Sequence, residues 1–465
     1  MVAQGLFGND PRDWNRDMKW QITEKLIVVI WQQKLVTRLI ADTGEKVEII
    51  YPGKRNFAEG PDFTGAVFEM DGRVVEGEVE LHVASSEWYG HGHNRDARAD
   101  NVVLHVVWYY DTYQQAKLRN GKTVPTIALS QALGSIVQRL GHSHMVLAEA
   151  LPRCPNSHHV PVLSIATLTG EARFFARVNS IKNVLARDKA TQVLVKYLSR
   201  ALGYAQNSVP FEKLADGLPA GVLEDNMGNT ERKALLFGFA GLLPSQRVAK
   251  HWATCNDGEV RELEAIWGST NNRRILDEGE WRFYRVRPDN FPPRRISALS
   301  ELLSRYDGPG LLDGILGLLR EAPCGAERSW LEKGLKVDGV GYWGNHIDFG
   351  AIKSSNSAQL GKEKAAEIVV NVVLPFTFAW GEVFTEPHLS EKAFAVFQRY
   401  GKVVDNEITR YMQQQLGFPP ELELSASQHQ GLVHLFKTYC HARKCASCPL
   451  ASPERGWATH LYCNG

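Results

Sequence analysis

Alternating polar and apolar residues predict a β-hairpin within residues 60–83. The first arm is an apolar run that opens at Asp62, and residues 70–73 supply the turn. On the return arm, acidic and imidazole side chains occupy every second position, namely Glu78, Glu80 and His82. Because the side chains of a strand point alternately to its two faces, these three groups share one face, and the apolar residues between them pack on the other.

The hairpin belongs to a predicted α/β region at the N-terminus. Residues 20–40 have the periodicity of an amphipathic helix, and short strands follow from residue 45 to about residue 107. Between the hairpin and the last of these strands lies a polar loop, residues 85–101, that contains His91 and His93. Loops of this length inside a compact domain are usually functional.

The rest of the chain is predicted to be mostly helical. Residues 151–163 are rich in proline and polar residues and indicate a domain boundary. We therefore expect an α/β domain over residues 1–150 and a helical domain over residues 164–465, with a cysteine cluster at residues 440–463.

Composition limits the function without identifying it. The 465 residues carry a net charge of +1, so the whole chain neither supports nor excludes nucleic-acid binding. No apolar run is long enough to span a bilayer, and the first residues do not have the pattern of a signal peptide. With an odd number of cysteines, seven, the sequence indicates reduced thiols in the cytoplasm and no membrane partner.

The polar face of the hairpin is a candidate site for a divalent cation. Asp62 opens the first arm and faces Glu80 and His82 on the second arm, and carboxylates are the ligands that hard cations prefer. Glu78 is a further candidate ligand. His91 and His93 flank a glycine, so they either add metal ligands, grip a phosphate or cap turns in a surface loop. The alternative for the hairpin is an ordinary face exposed to solvent.

The order of elements and two short motifs resemble the PD-(D/E)XK nuclease superfamily, which has the restriction-endonuclease-like fold. Pro61-Asp62 matches the first part of its signature, and Glu80-Leu81-His82 matches the second part except that histidine replaces the usual lysine. Glu24 matches the helical glutamate of many members. The whole chain is also similar to a bacterial family that joins such an N-terminal half to a helical C-terminal half, through phrases such as GPDF, VELH and NFPPRRI.

The resemblance implies a nuclease dependent on Mg²⁺ or Mn²⁺ that acts on DNA in preference to RNA. It implies that Asp62 and Glu80 hold the metal and that Glu24 orients the metal or its water. His82 would then be a general base or a ligand for a softer metal. The helical half would position the nucleic acid, a protein partner or a second copy of the chain. The alternative is a nucleic-acid-binding or scaffold protein that lost activity with its lysine.

The C-terminal cysteines are a second candidate metal site. Cys440, Cys445 and Cys448 are close enough in sequence to converge on one ion, and Cys463 is the expected fourth ligand. Zn²⁺ is the first choice because histidines crowd the same segment, and a [4Fe–4S] cluster is the alternative. Cys154 is isolated in sequence and is read as structural, and the remaining possibility for the cluster is ordinary unligated thiols.

A basic segment at residues 281–295 is a candidate phosphate-binding surface. Arginines interleaved with aromatic residues suit contact with a nucleic-acid backbone together with base stacking. The alternative is a strand with one solvated face. The arginines are Arg282, Arg285, Arg287, Arg294 and Arg295.

Overall fold

The computed structural model describes residues 23–32, 34–56, 60–133, 154–157, 161–224, 227–247, 257–270, 276–283, 286–353, 356–419 and 421–451. The chain forms two compact units. The first consists of Met1–Ile165, Asn406–Leu422 and Leu432–Arg455. The second consists of Ala166–Asp405, Glu423–Gly431 and Gly456–Gly465.

The first unit is built on a mixed sheet. Its strands are β1 (Arg38–Ile40), β2 (Lys46–Tyr51), β3 (Lys54–Arg55), β4 (Phe63–Met70), β5 (Arg73–Ala84), β6 (Val102–Tyr109) and β7 (Thr126–Ala128). The order across the sheet is β1-β2-β4-β5-β6-β7, and β3 pairs with β4. The pairs from β1 to β5 are antiparallel, whereas β5, β6 and β7 run parallel.

The predicted hairpin is the pair β4 and β5. Asp71 and Gly72 form its turn with φ values of 46° and 83°, the left-handed conformation that a two-residue hairpin turn requires. Val79 and Leu81 on β5 are buried in the core. The predicted alternation of β5 is confirmed, but Glu80 and His82 on the other face are also buried, at 7% and 1% exposure.

Several of the described helices lie in the first unit or run from it. They include α1 (Glu24–Gln32), α2 (Glu87–Gly90), α3 (Val162–Leu185), which continues into the second unit, and α15 (Glu407–Leu416). The helix predicted over residues 20–40 is too long. Its described part ends at Gln32, Lys34 has a φ of 53°, and residues 38–40 form a strand because Leu39 packs into the core of the sheet.

The second unit is helical apart from two short strands, among the residues that the structure describes. Its helices are α4 (Ala190–Leu202), α5 (Tyr204–Gly217), α6 (Ala220–Glu224), α7 (Asn229–Phe239), α8 (Gly258–Ser269), α9 (Pro292–Arg305), α10 (Leu311–Glu321), α11 (Glu327–Leu335), α12 (Lys362–Ile368), α13 (Leu374–Val383), α14 (Pro387–Arg399) and α16 (Ala426–Leu435), which continues into the first unit. The strands β8 (His346–Asp348) and β9 (Ala351–Ile352) pair with each other.

One stretch of the second unit, Lys362–Val383, is long and apolar enough to cross a membrane. It consists of α12, a π-helical segment at Val369–Val373 and α13. Two thirds of its most apolar window is buried inside the protein, and the four valines of its π-helical segment belong to the main core of the unit. The stretch is therefore a core helix of this unit.

The predicted layout of a mixed α/β unit followed by a mostly helical region is confirmed. The predicted domain over residues 164–465 is too long, because residues 406–422 and 432–455 belong to the first unit. Side chains on both segments bind the sheet. The Tyr411 hydroxyl donates a hydrogen bond to the Ile50 carbonyl (2.6 Å), and Arg443 forms ion pairs with Glu48 and Glu69.

Candidate metal centre

The structure brings Asp62 and Glu80 together at the edge of the hairpin. Asp62 lies just before β4, and its backbone N–H is 3.3 Å from Glu80 Oε2. In return, Asp62 Oδ2 accepts a hydrogen bond from the backbone N–H of Leu81 (3.0 Å). The β4–β5 register shifts between Phe63 and Ala66, and Gly65 there has a φ of 62°. Such a bulge turns the start of a strand and fixes the direction of nearby side chains.

Three histidines converge beside Glu80. His82 lies on β5, and His91 and His93 follow α2 in the polar loop. One ligand nitrogen from each of the three lies within 4.8 Å of the other two. Glu80 Oε1 is 3.2 Å from His93 Nε2 and 3.8 Å from His82 Nε2. The structure thus places both predicted loop histidines at the hairpin site.

His105 fixes the orientation of His82. The parallel register places His105 on β6 opposite Glu80, so its side chain lies on the same face of the sheet. His82 Nδ1 is 2.9 Å from His105 Nε2, and His105 Nδ1 is 3.3 Å from Thr126 Oγ1. If each Nδ1 carries the proton, His82 donates to His105 and His105 donates to Thr126. His82 Nε2 is then left with a lone pair that faces Glu80 and His91.

One nitrogen that faces the site lacks a hydrogen-bond partner. His82 Nε2 and His91 Nδ1 are within hydrogen-bond distance of each other, at 3.1 Å. His93 Nε2 is buried, and it makes no hydrogen bond with any described residue, even though Glu80 Oε1 is close. Buried imidazole nitrogens without hydrogen bonds are costly unless they bind something else. The donor set therefore fits a metal ion.

Burial dominates the electrostatics of the site. Burial, followed by the neighbouring Asp62 carboxylate, raises the pKa of Glu80 to about 8. Burial also raises the pKa of Asp62. Burial and the neighbouring imidazoles lower the pKa of His82 to about 2, and burial lowers that of His105 to about 3. Both histidines are therefore neutral at pH 7, which is the form that binds metals.

Other acidic residues approach the same point. Burial and the charge of Asp62 raise the pKa of Glu24 on α1, and Glu24 also interacts electrostatically with His91 and Glu87. Glu87 Oε2 accepts a hydrogen bond from the backbone N–H of Val83 (3.0 Å). Glu78 contributes a repulsive charge to Glu80 from its place on β5. Glu24 and Glu78 thus lie close enough to the site to act electrostatically on Glu80.

The ligands present indicate which metals suit the site. A carboxylate with two or three imidazoles is typical of Zn²⁺ and of first-row transition metals such as Mn²⁺ and Fe²⁺, whereas Mg²⁺ prefers oxygen ligands. The sequence predicted carboxylate ligands together with His91 and His93, and His82 as a possible ligand for a softer metal. The structure places these imidazoles at Glu80, which shifts the preference away from Mg²⁺.

Three of the predicted C-terminal cysteines, Cys440, Cys445 and Cys448, lie in the first unit rather than in the helical one. Cys440 ends a π-helical segment, Phe436–Cys440, and Cys445 begins a 3-10 turn that leads to Cys448. Cys463, the predicted fourth ligand, lies outside the described residues.

The described part of the arginine segment does not form the strand of the alternative prediction. Arg282 and Arg287 are exposed and lie in loops, and Arg285 is outside the described residues. Arg294 and Arg295 are buried at 0% and 4% exposure on α9.

Arg294 and Arg295 do not form an open phosphate-binding surface, because their guanidinium groups bind the protein itself. Arg294 donates hydrogen bonds to the backbone carbonyls of Trp343 (2.6 Å) and His346 (2.7 Å). Arg295 donates to the Asn290 side chain (2.6 Å).

Comparison with family models assigns the chain to one family. The model of the family described as "Protein of unknown function (DUF2851)" matches residues 24–406. The chain belongs to this family. The DUF2851 match begins at Glu24 and includes the hairpin, the histidine loop and the arginine segment, but not the cysteines at residues 440–448. No curated protein and no solved structure matches the chain.

Two residues of this DUF2851 site were not predicted as functional. His105 is predicted, from its place in an apolar strand, to be a core histidine; its burial is confirmed, but its contact with His82 was not predicted. Glu87 was predicted only to lie in the polar loop. The sequence feature that could have identified His105 is a polar residue within an apolar strand next to the hairpin. For Glu87, that feature is an acidic residue close to two histidines.

Proposed function

We propose that this protein is a metal-dependent phosphodiester hydrolase that acts on nucleic acid, with DNA as the first substrate to test. The observation that carries the proposal is the position of Glu80, whose carboxylate lies between Asp62 and the imidazoles of His82 and His93. The hairpin followed by a parallel strand also supports the resemblance to PD-(D/E)XK nucleases.

In this proposal Glu80, His82 and His93 hold the metal, and His91 closes the site from its exposed side. A bound divalent ion would polarise a phosphoryl oxygen and lower the pKa of a water molecule. The lysine position of the superfamily signature is then a ligand position, which explains why a histidine serves there. Mn²⁺ and Zn²⁺ are the expected ions.

The acidic residues have separate roles. Asp62 holds the Glu80 carboxylate in place through its backbone N–H and is itself fixed by the N–H of Leu81. Glu24 is more exposed than Asp62 and interacts electrostatically with both Asp62 and His91. We assign to Glu24 the role of proton acceptor for the attacking water, because a carboxylate with a raised pKa is a better base near neutral pH.

A cavity in the same unit supports a nucleic-acid substrate. It has a volume of about 430 Å³ and lies where β5 and β6 end, with Ser85, Tyr89 and Tyr110 in its lining. Tyr113 also lines it and is 78% exposed. None of the proposed metal ligands lines this cavity, but an exposed ring such as that of Tyr113 is suited to stacking with bases, which tolerates different sequences.

The direct test is cleavage of labelled single- and double-stranded DNA and RNA by the purified protein with Mn²⁺, Zn²⁺ or Mg²⁺. Glu80→Gln and His93→Gln are expected to abolish cleavage and the binding of one metal ion. Two variants serve as controls that should cleave normally, Glu76→Gln, an exposed glutamate on the same strand, and His388→Gln, an exposed histidine. Cleavage that survives in Glu80→Gln would assign the activity to other residues.

His82→Lys separates the two functions that the sequence left open. If His82 is a metal ligand, lysine at this position should remove both metal binding and cleavage. If the protein is instead an inactive relative of the nucleases, the natural protein has no activity and the lysine creates it. Metal binding without cleavage of any nucleic acid by the natural protein would favour the second reading, a non-catalytic nucleic-acid-binding protein.

A further inference from the structure

Cys154 lies close to three C-terminal cysteines in the first unit, although it is far from them in sequence. The backbone N–H of Cys154 donates a hydrogen bond to the Gln415 carbonyl (2.7 Å), and the Asn156 side chain donates one to the Cys445 carbonyl (3.4 Å). These bonds join the short segment at residues 154–157 to both C-terminal segments of the unit. We call the four residues the thiol cluster: Cys154, Cys440, Cys445 and Cys448.

Local backbone structure directs the three C-terminal thiols to one place. The chain leaves a π-helical segment at Cys440, turns with a φ of 51° at Arg443, and enters the 3-10 turn that begins at Cys445. The N–H of Cys448 then bonds to the Cys445 carbonyl (3.2 Å). Three thiols are thus carried on nine residues of tightly turned chain.

The thiols are close enough for every one of the six possible pairs to interact electrostatically. Cys440 and Cys154 are partly buried and Cys448 is buried. Burial, followed by the neighbouring thiols, raises the pKa of Cys440, and burial raises that of Cys448 to about 11. Cys445 is exposed, whereas the other three thiols are buried or partly buried and need a compensating cation before they can ionise together.

We propose that the thiol cluster binds one metal centre through four thiolates, with Cys154 as the fourth ligand. Each thiol gives its proton to solvent when it binds the metal. The shared chemistry is an all-thiolate tetrahedral set, which suits both a structural Zn²⁺ ion and a [4Fe–4S] cluster. The proposal uses residues separate from the metal centre at Glu80 and does not depend on the nuclease proposal.

The metal centre would act as a structural cross-link. It would link a residue before the helical unit to residues after it, and so fix the two C-terminal segments on the first unit. Metal binding by such a site contributes directly to the free energy of folding, because the unfolded chain does not hold the thiolates together. Cysteine thiolates are also poor ligands for the hard ions that phosphodiester hydrolysis uses, which is consistent with a structural role.

The test is metal analysis of the full-length protein purified without oxygen, in a Glu80→Gln background so that only the thiol cluster is counted. We expect about one zinc per chain, or about four irons with four acid-labile sulfides. Cys154→Ser and Cys445→Ser should both lose this metal, whereas Cys324→Ser should keep it. Cys324 is the matched control because it is an exposed cysteine of the other unit.

A Cys154→Ser variant that keeps all its metal would overturn the assignment of Cys154, and a metal-free natural protein, with free thiols or with disulfides, would overturn the site. Circular dichroism shows whether the serine variants still fold. If they do not, two further measurements apply. A chelator should release the metal from the natural protein and lower its melting temperature, and for zinc Cys154→His should restore binding, since Cys₃His is an accepted ligand set. Failure of both measurements also counts against the proposal.

Discussion

His82 Nδ1 and His105 Nε2 lie 2.9 Å apart on neighbouring parallel strands, and this contact sets the side of the His82 ring that faces Glu80. His105 is fully buried and continues the chain of contacts to Thr126. Metal-binding histidines in proteins usually bond their second nitrogen to such a partner, which fixes the tautomer and the ring orientation. His82 is therefore placed as a metal ligand, and His105 as the residue that orients its ring.

We predict that His105→Leu lowers the metal affinity of the site by about 10- to 100-fold, the usual cost of losing such a support. Leucine fills the space but cannot accept the proton of His82 Nδ1. His105→Gln should keep more affinity, because its amide oxygen accepts that hydrogen bond. Titration with Mn²⁺ or Zn²⁺ against a competing chelator measures both variants. Equal affinities for the two would mean that His105 only fills space.

Part of this site follows from the sequence alone. The period-two pattern of β5 is enough to predict that Glu80 and His82 share a face and that the turn lies at Asp71 and Gly72. Periodicity predicts the face of one strand, but it does not say which strand lies beside it. His105 comes into contact with His82 only because β6 runs parallel to β5 after a loop, and this pairing is a long-range property.

Cys154 and Arg294 also have surroundings that a local sequence pattern does not predict. Cys154 is 286 positions before Cys440, and no local pattern relates them, so Cys154 could not be joined to the cluster from sequence alone. Arg294 lies in a basic segment that is typical of an exposed surface, but α9 turns it into the core, where carbonyls of Trp343 and His346 accept its hydrogen bonds. Burial of a charged side chain depends on such partners, which periodicity does not reveal.

We predict that Arg294→Met lowers the free energy of unfolding by about 3 kcal/mol, because it leaves buried carbonyls without a donor. Urea denaturation measures this change. Arg282→Gln with Arg287→Gln should leave stability unchanged, since both side chains are exposed.

The same double variant tests the nucleic-acid surface. If Arg282 and Arg287 contact phosphates, the plot of log affinity for duplex DNA against log salt should lose about two units of slope, roughly one per contact. An unchanged slope would remove these arginines from the binding surface.

A buried lysine predicts an unusual dependence of stability on pH. Lys34 is 8% exposed, and its amine donates hydrogen bonds to the Ile50 carbonyl (2.9 Å) and to Tyr411 (3.0 Å). Burial lowers its pKa from 10.5 to about 8. Between these two values the unfolded chain binds more protons than the folded one, so the contribution of Lys34 to stability rises with pH, by about 3 kcal/mol in full.

We therefore expect the free energy of unfolding of Lys34→Met, relative to that of the natural protein, to be highest at about pH 7.5. Much of this difference should be lost by about pH 9.5. The Ile50 carbonyl keeps the hydrogen bond from Tyr411 in the variant, so the substitution leaves this acceptor paired. Lys54→Met is the control, since Lys54 is exposed in its ion pair with Glu407. Urea unfolding under reducing conditions gives the comparison, and parallel pH curves for the two variants would contradict the prediction.

Arg443 predicts how strongly the last described segment is held on the sheet. Its guanidinium pairs with Glu48 on β2, at 2.7 Å, and with Glu69 on β4. The three side chains are each less than one third exposed, so this network is screened less than a surface pair. Arg443→Gln should cost about 1 kcal/mol of unfolding free energy.

The loss should also appear locally, because Arg443 lies between two members of the thiol cluster and its release would loosen their turn. We expect faster proteolytic cleavage within residues 437–451 in Arg443→Gln, measured by mass spectrometry of the fragments. Arg119→Gln is the matched control. Its ion pair with Asp100 is more exposed and lies elsewhere in the first unit, so cleavage near residue 443 should not change. If the rate of cleavage near residue 443 is the same in the two variants, the Arg443 network does not hold this segment on the sheet. The thiol cluster or packing then holds it.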